Sequence, residues 1–183
     1  LKEFIVFWER HYPDIITGWN TEFFDIPYIC NRIINLFGED ELKRLSPWGS
    51  VREREVYQLG RRQQAYDIAG IASLDFMALY RKFTYTAQES YALNHIATVE
   101  LGEQKDGNPY ETFSEWYQKD WQSFIEYNIQ DVEIVDKLED KMRLVELCLT
   151  MAYDAKVNYT DVLGSVKYWD ILIYNYLRER NIV

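Results

Sequence analysis

The sequence has little positive charge, little cysteine and no long apolar run. Its 20 Lys and Arg residues stand against 30 Asp and Glu residues, which gives a net charge of -10. Because phosphate neutralisation needs Lys and Arg, such a surface is not expected to hold nucleic acid by bulk electrostatics. Cys30 and Cys148 lack metal-ligand spacing, and two thiols in 183 residues fit a reducing compartment better than a disulfide framework. No apolar run is long enough for a membrane span.

Hydrophobic residues make up 48% of the chain, which is enough for one sizeable core. Apolar spacing and turn residues indicate an α/β chain without internal repeats. The predicted elements are a helix to residue 11, a strand at 15–16, a helix over 25–38, a hairpin over 51–68, a buried strand over 68–74, helices over 76–83 and 90–99, a helical stretch over 114–153 with a break near 128, and a helix over 166–180.

Residues 13–29 form the segment around which the chain is organised. A short apolar run at Ile15 and Ile16 has β character, Gly18 and Asn20 break the pattern, and the apolar period becomes helical after Asp25. The loop therefore lies at the carboxyl end of a strand, where ligands usually bind in α/β sheets. Asp25 is either the N-cap of this helix, with Pro27 in its first turn, or a metal ligand. This segment alone leaves both interpretations open.

A second acid breaks the pattern of the long helical stretch. On a helical wheel Asp131 falls inside the apolar arc, one turn after Tyr127. A carboxylate there is unfavourable unless it is paired or bound to metal. The wheel is equally compatible with two interpretations. Asp131 is either a buried structural residue bonded to a backbone amide or a tyrosine hydroxyl, or a functional acid.

The two acids together suggest a two-metal phosphodiester site. Asp25 and Asp131 come from separate elements, and hard ions such as Mg²⁺ prefer oxygen ligands. In such a site the carboxylates hold two divalent ions, and Tyr127 would orient the attacking water. A further metal-binding carboxylate can be sought only by elimination, and the candidates are Asp14, Asp67 and Asp75.

The hairpin carries the one basic concentration in this acidic chain, at Arg52, Arg54, Arg61 and Arg62. It is either a solvated hairpin without a partner or a basic ribbon that contacts a phosphate backbone. Lys105, in the loop after residue 101, could also reach a phosphate, although a single loop lysine is more often solvated.

Two motifs identify a family. The segment Asn-Thr-Glu-Phe-Phe-Asp at residues 20–25 resembles the second exonuclease motif of family B DNA polymerases. The segment Tyr-Asn-Ile-Gln-Asp at residues 127–131 resembles their third. With Ser-Leu-Asp at 73–75 between them, the resemblance covers essentially the whole chain and extends to the replicative polymerases of T-even-type bacteriophages.

The resemblance implies a 3′–5′ proofreading exonuclease domain with a ribonuclease H-like α/β fold, an inserted β-hairpin and a C-terminal helical segment. By this resemblance Asp25 and Asp131 would be two of the carboxylates that bind two Mg²⁺ or Mn²⁺ ions, and Tyr127 would position the water. Asn20 and Phe24 would lie near the DNA end, and Lys105 near the scissile phosphate. The hairpin would help to pass the primer end between the polymerase and exonuclease sites.

The same resemblance assigns residues 1–143 to a partial exonuclease domain and residues 144–183 to a helical connection toward the palm. The family's first exonuclease motif, Asp-x-Glu, is absent and would precede Leu1 with the first strands of the fold. We therefore expect the chain to be a fragment of a longer polymerase, the parent, and we do not expect the fragment alone to be a reliable exonuclease. The parent would act in the cytoplasm of a bacterial host.

The expected partners are DNA, as a single-stranded 3′ end and as primer–template, the rest of the polymerase chain, and through the parent a sliding clamp and other replisome proteins. Two alternatives remain. One is a non-catalytic DNA- or replisome-binding module, which the acidic charge and the retained acids disfavour. The other is an unrelated nuclease that uses the same carboxylate chemistry.

Overall fold

The computed structural model of the chain describes residues 1–58, 60–103 and 107–182, and its architecture is mixed α/β. The helices are α1 (Lys2–His11), α2 (Asp25–Phe37), α3 (Glu39–Leu42), α4 (Phe76–Phe83), α5 (Leu93–Leu101), α6 (Phe113–Lys119), α7 (Trp121–Met142), α8 (Leu144–Ala155) and α9 (Val166–Glu179). The strands are β1 (Ile15–Gly18), β2 (Val51–Gln58), β3 (Arg61–Ile68) and β4 (Ala72–Asp75). Within the described residues, no helix combines the length and the apolar character that crossing a membrane requires.

The strands pair in two different ways. β1 runs parallel to β4, with Ile15 opposite Ala72 and Gly18 opposite Asp75. Because the carboxyl ends of parallel strands meet at one edge, the loop after β1 and the residue that ends β4 become neighbours. β2 and β3 form an antiparallel hairpin over the predicted residues 51–68. Its status as an insertion in a ribonuclease H-like fold stays a prediction.

Two buried clusters hold the elements together. The larger joins β4, α4, α5, α7 and α8, and Leu79 is among its fully buried side chains. The smaller packs α1 and α2 against β3 around Ile33. Tyr168 of α9 belongs to the larger cluster, so the last helices pack with those that precede them. The division into residues 1–143 and 144–183 stays a prediction.

The long helical stretch is divided at Asp120 and Arg143, and the break predicted near Asn128 is wrong. A carboxylate oxygen of Asp120 accepts from the backbone N–H of Ser123 at 3.2 Å, which starts a new helix there. Arg143 has φ 51°, a left-handed conformation that ends α7. Asn128 lies inside unbroken α7, where its side-chain amide donates to the Phe124 carbonyl.

The strand predicted over residues 68–74 is shifted along the chain. Ile68 ends β3, the backbone turns, and β4 begins at Ala72. Gly70 in this turn has φ +89°, and a Cβ there would lie 2.6 Å from Pro47. The turn therefore requires glycine. A single apolar run contains the end of one strand and the start of the next.

The apolar arc of α7 is buried only in its second half. Ile134 and Leu138 are buried, whereas Ile129 is 52% and Val132 is 70% exposed. Asp131 lies where the two halves meet and is half-buried. The expectation of a carboxylate inside a fully covered apolar arc is therefore only partly met.

Both cysteines are free and buried. Burial raises the pKa of the Cys30 thiol to about 12 and that of the Cys148 thiol to about 11. Both thiols therefore stay protonated at neutral pH, and protonated thiols are poor nucleophiles. Cys30 belongs to the smaller cluster and Cys148 to the larger, where each acts as a small apolar side chain.

Candidate active site

A cleft of about 740 Å³ opens beside the loop that follows β1. Its walls come from this loop, the starts of α2 and α5, and one side of α7 as far as Glu139, with Phe76 of α4 and Val145 of α8. Asp25 lines the cleft from α2, and Tyr127 and Asp131 line it from α7. The structure thus places the three predicted catalytic residues around one space at the carboxyl edge of the parallel strands.

Asp75, at the end of β4, shapes the loop between β1 and α2. Its side chain is 2% exposed. One carboxylate oxygen accepts from the backbone N–H of Asn20 at 3.3 Å and of Ala78 at 3.2 Å, and the other accepts from Glu22 at 3.0 Å. Asn20 has φ 64°, a left-handed conformation that asparagine tolerates better than most residues. Asp75 therefore caps α4 and holds the loop that leads to Asp25.

The other two candidates for a further metal-binding carboxylate lie elsewhere. Asp67 pairs with Arg54 on the hairpin at 2.8 Å, and Asp14 precedes β1, at the end of the strand away from the cleft. Across the part of the chain that the structure describes, no group of three or more His, Cys, Asp or Glu side chains is arranged to hold a metal ion. Asp25 and Asp131 fit a divalent ion as a pair of hard oxygen donors, which is part of a site.

Asp25 is not an N-cap. Phe24 is the cap residue of α2, and it makes no side-chain capping hydrogen bond, while Asp25 is the first helical residue. Burial raises the pKa of the half-buried Asp25 carboxyl, and the negative charges of Asp75 and Asp131 raise it further. Asp25 therefore lies within reach of two other negative charges, and a cation bound beside it would relieve that repulsion.

In the metal-free chain, Asp25→Asn is expected to raise the free energy of unfolding at neutral pH. Because the folded-state pKa of Asp25 lies above its unfolded value, the wild type loses stability as pH rises through that folded pKa. Asparagine carries no charge and avoids the loss. The gain should stay below about 1 kcal/mol, because water screens a half-exposed carboxylate. Urea denaturation with chelator present, compared between about pH 7.5 and about pH 4.5, measures it.

Asp40→Asn is the matched control for this prediction. Asp40 is exposed, and its hydrogen bond with Lys43 at 2.7 Å lowers the pKa of the Asp40 carboxyl. Its replacement should therefore slightly destabilise the chain at neutral pH, with the opposite sign. An Asp25→Asn variant equally destabilised at both pH values would contradict the prediction.

Sequence reasoning missed the aromatic side chains that surround Tyr127. The centroid of its ring lies 4.9 Å from that of Trp116 and 6.1 Å from that of Phe113. The spacing of these two aromatic residues, three apart on α6, was the available signal. Asn94 and Asn128, also missed, add amide groups to the wall of the cleft.

The hairpin arginines are engaged to different degrees. Arg54 forms ion pairs with Asp67 and with Glu22, the latter in the loop before α2. This contact ties the hairpin to the loop of the cleft. Arg62 forms an ion pair with Glu55 across the hairpin. Arg52 and Arg61 are exposed, and none of the four is among the described residues that line the cleft.

The other predicted DNA contacts are distributed around the cleft. Phe24 lines it and is 65% exposed. Asn20 lies in the adjoining loop but stands outside the set of described residues that form the cleft wall. Lys105 lies outside the described residues, so its position stays a prediction.

Comparison with known proteins agrees with the motifs. Residues 1–96 match the model of the family described as DNA polymerase family B, exonuclease domain. The DNA-directed DNA polymerase of Escherichia phage RB69 is 40% identical over 183 residues, which cover 99% of this chain and 20% of the relative. The DNA-directed DNA polymerase of Enterobacteria phage T4 is 37% identical over 179 residues, which cover 97% of this chain and 20% of the relative.

A more distant relative is the DNA polymerase catalytic subunit of Psittacid herpesvirus 1, 30% identical over 106 residues that cover 56% of this chain and 10% of the relative. The chain spans about a fifth of the length of the two phage polymerases. With more than half of its residues matched by the family model, the chain belongs to the family B DNA polymerases, as part of their exonuclease domain.

Proposed function

We propose that this chain is the greater part of the 3′–5′ exonuclease domain of a longer replicative DNA polymerase, where it removes the terminal nucleotide from a DNA 3′ end. The observation that carries the proposal is the convergence of Asp25, Tyr127 and Asp131 on one cleft. The similarity to two phage polymerases along nearly the whole chain supports it.

In this proposal each catalytic residue has a separate role. Asp25 and Asp131 hold Mg²⁺ or Mn²⁺, two ions in the complete protein. When bound, the ions supply charge stabilisation at the scissile phosphate. The Tyr127 hydroxyl orients the attacking water. Phe24, exposed on the wall of the cleft, stacks on a base near the 3′ end, since aromatic rings stack on any base.

Further carboxylates would come from another part of the longer polymerase. This is supported by the described residues, which offer only a partial metal site. We therefore propose that the 183-residue chain alone trims DNA poorly or not at all. The same proposal includes the ribonuclease H-like topology, the transfer of the primer end by the hairpin and the role of Lys105. It also includes the clamp and replisome partners and the location in the host cytoplasm.

A non-catalytic DNA-binding module is the second candidate. It is favoured by the incomplete metal site among the described residues. It is disfavoured by the net charge of -10, because non-specific binding to phosphates relies on basic residues.

The test is 3′-end trimming of a labelled single-stranded oligonucleotide, without nucleotides, by the full-length polymerase that carries this sequence. We expect shortening with Mg²⁺ or Mn²⁺ and none with excess chelator. The 183-residue chain, run in parallel, is expected to show little or none. Binding without shortening, unchanged by chelator, would instead support the binding module.

A further inference from the structure

Tyr127 belongs to an aromatic cluster, formed by Phe113 and Trp116 of α6 and by Phe124 and Tyr127 of α7. Trp116 is its centre and is 3% exposed. Its ring meets that of Tyr127 edge to face, with centroids 4.9 Å apart and planes at 62°. It meets Phe124 at 5.8 Å and 81°, and it stacks on Phe113 at 6.3 Å and 17°.

Trp116 is itself fixed by hydrogen bonds at the corner between α6 and α7. Its indole N–H donates to the Ser123 hydroxyl at 3.1 Å, and its carbonyl accepts from the Asp120 N–H at 2.8 Å. The Asp120 carboxylate in turn accepts from the Ser123 N–H. Thr112 caps the start of α6 by accepting from Glu115. Trp116 is therefore held through both its indole ring and its backbone.

This anchoring matters because Tyr127 lies on the exposed half of α7. Tyr127 is itself half-buried, and Ile125 and Ile129 on the other side of this half of the helix are 37% and 52% exposed. A half-buried tyrosine can adopt more than one rotamer unless its neighbours restrict it. The indole edge occupies one side of the Tyr127 ring and restricts those alternatives.

We propose that Trp116 is a positioning residue, which holds the Tyr127 ring so that its hydroxyl stays at the reacting end of the cleft. This inference rests on the proposed exonuclease function. Trp116 does not contact DNA in this role and acts only through Tyr127. A displacement of about 1 Å at such a group is enough to lower a rate by up to about 100-fold.

The test uses single-turnover trimming by the full-length polymerase. Trp116→Leu is expected to lower the maximal rate by about tenfold, with little change in the DNA concentration needed for half-maximal rate. Trp116→Phe, which keeps an aromatic edge, should retain most of the rate. In a Tyr127→Phe background, Trp116→Leu should have no further effect, since the hydroxyl that it positions is gone.

Two controls separate positioning from folding. Trp169→Leu makes the same substitution on α9, where the ring is 56% exposed, and should leave trimming unchanged. Primer extension by each variant reports whether the polymerase is intact. An equal loss in the wild-type and Tyr127→Phe backgrounds, or full activity of Trp116→Leu, would overturn the inference. If the proposed function itself fails, Asp131→Ala trims like the wild type, and the positioning role falls with it.

Discussion

Asp131→Ala is expected to lower the 3′–5′ trimming rate of the full-length polymerase by at least about 1,000-fold, while primer extension continues. Asp131 and Asp25 face the same cleft from different helices. Asp136 and Glu139 also line the cleft, but the variant keeps only one of the two carboxylates proposed to hold the divalent ions. The loss should appear in the maximal rate and persist at saturating DNA, because the carboxylate would hold the ions that stabilise the reacting phosphate and contributes little to DNA binding.

The matched control is Asp140→Ala. Asp140 lies on the same helix and is exposed, outside the described lining of the cleft. The substitution removes the same charge from the same element, and trimming should change less than about threefold. Asp131→Asn keeps the shape and one oxygen, and raised Mn²⁺ should partly restore its rate if metal binding is the defect. Equal losses in the Asp131 and Asp140 variants would show that net charge controls the rate and would refute a metal-binding role.

The sequence is sufficient to locate the catalytic candidates because their signals are local. The switch from β to helical spacing after Asp25, and the polar residue inside the apolar arc at Asp131, are both visible within one element. Parallel pairing of β1 with β4 then explains why the loop of the cleft lies at a carboxyl edge. The break at Asp120 was also a local signal, since an aspartate just before a helical stretch is typical of an N-cap, which accepts from a backbone N–H up to three residues later.

Other features depend on contacts that periodicity does not report. Asp75 binds the N–H groups of Asn20 and Glu22, which lie 55 and 53 residues earlier in the chain. Nothing within its own segment distinguishes this use from an ordinary helix cap. The helical wheel likewise gives the apolar face of α7 but not what covers it, and Val132 on that face is 70% exposed.

Asp75→Ala is expected to lower the free energy of unfolding of the chain by about 3 kcal/mol, because hydrogen bonds to a charged acceptor are strong and three part-buried donors lose it. The three N–H groups of Asn20, Glu22 and Ala78 would be left without their acceptor. Asp75→Asn keeps a single acceptor oxygen and should lose about half as much. Urea denaturation of the chain at neutral pH measures both variants.

The comparison that decides this prediction is Asp67→Ala. Asp67 is also an acid on a strand, but it is 61% exposed and forms a surface ion pair with Arg54. Its removal should therefore change stability by less than about 1 kcal/mol. Similar effects at the two positions would show that the buried contacts of Asp75 add nothing.

If the loop is held as the structure indicates, Asp75→Asn should also slow trimming more than primer extension in the full-length polymerase. Asp75 is buried, and the loop that it holds leads directly into Asp25.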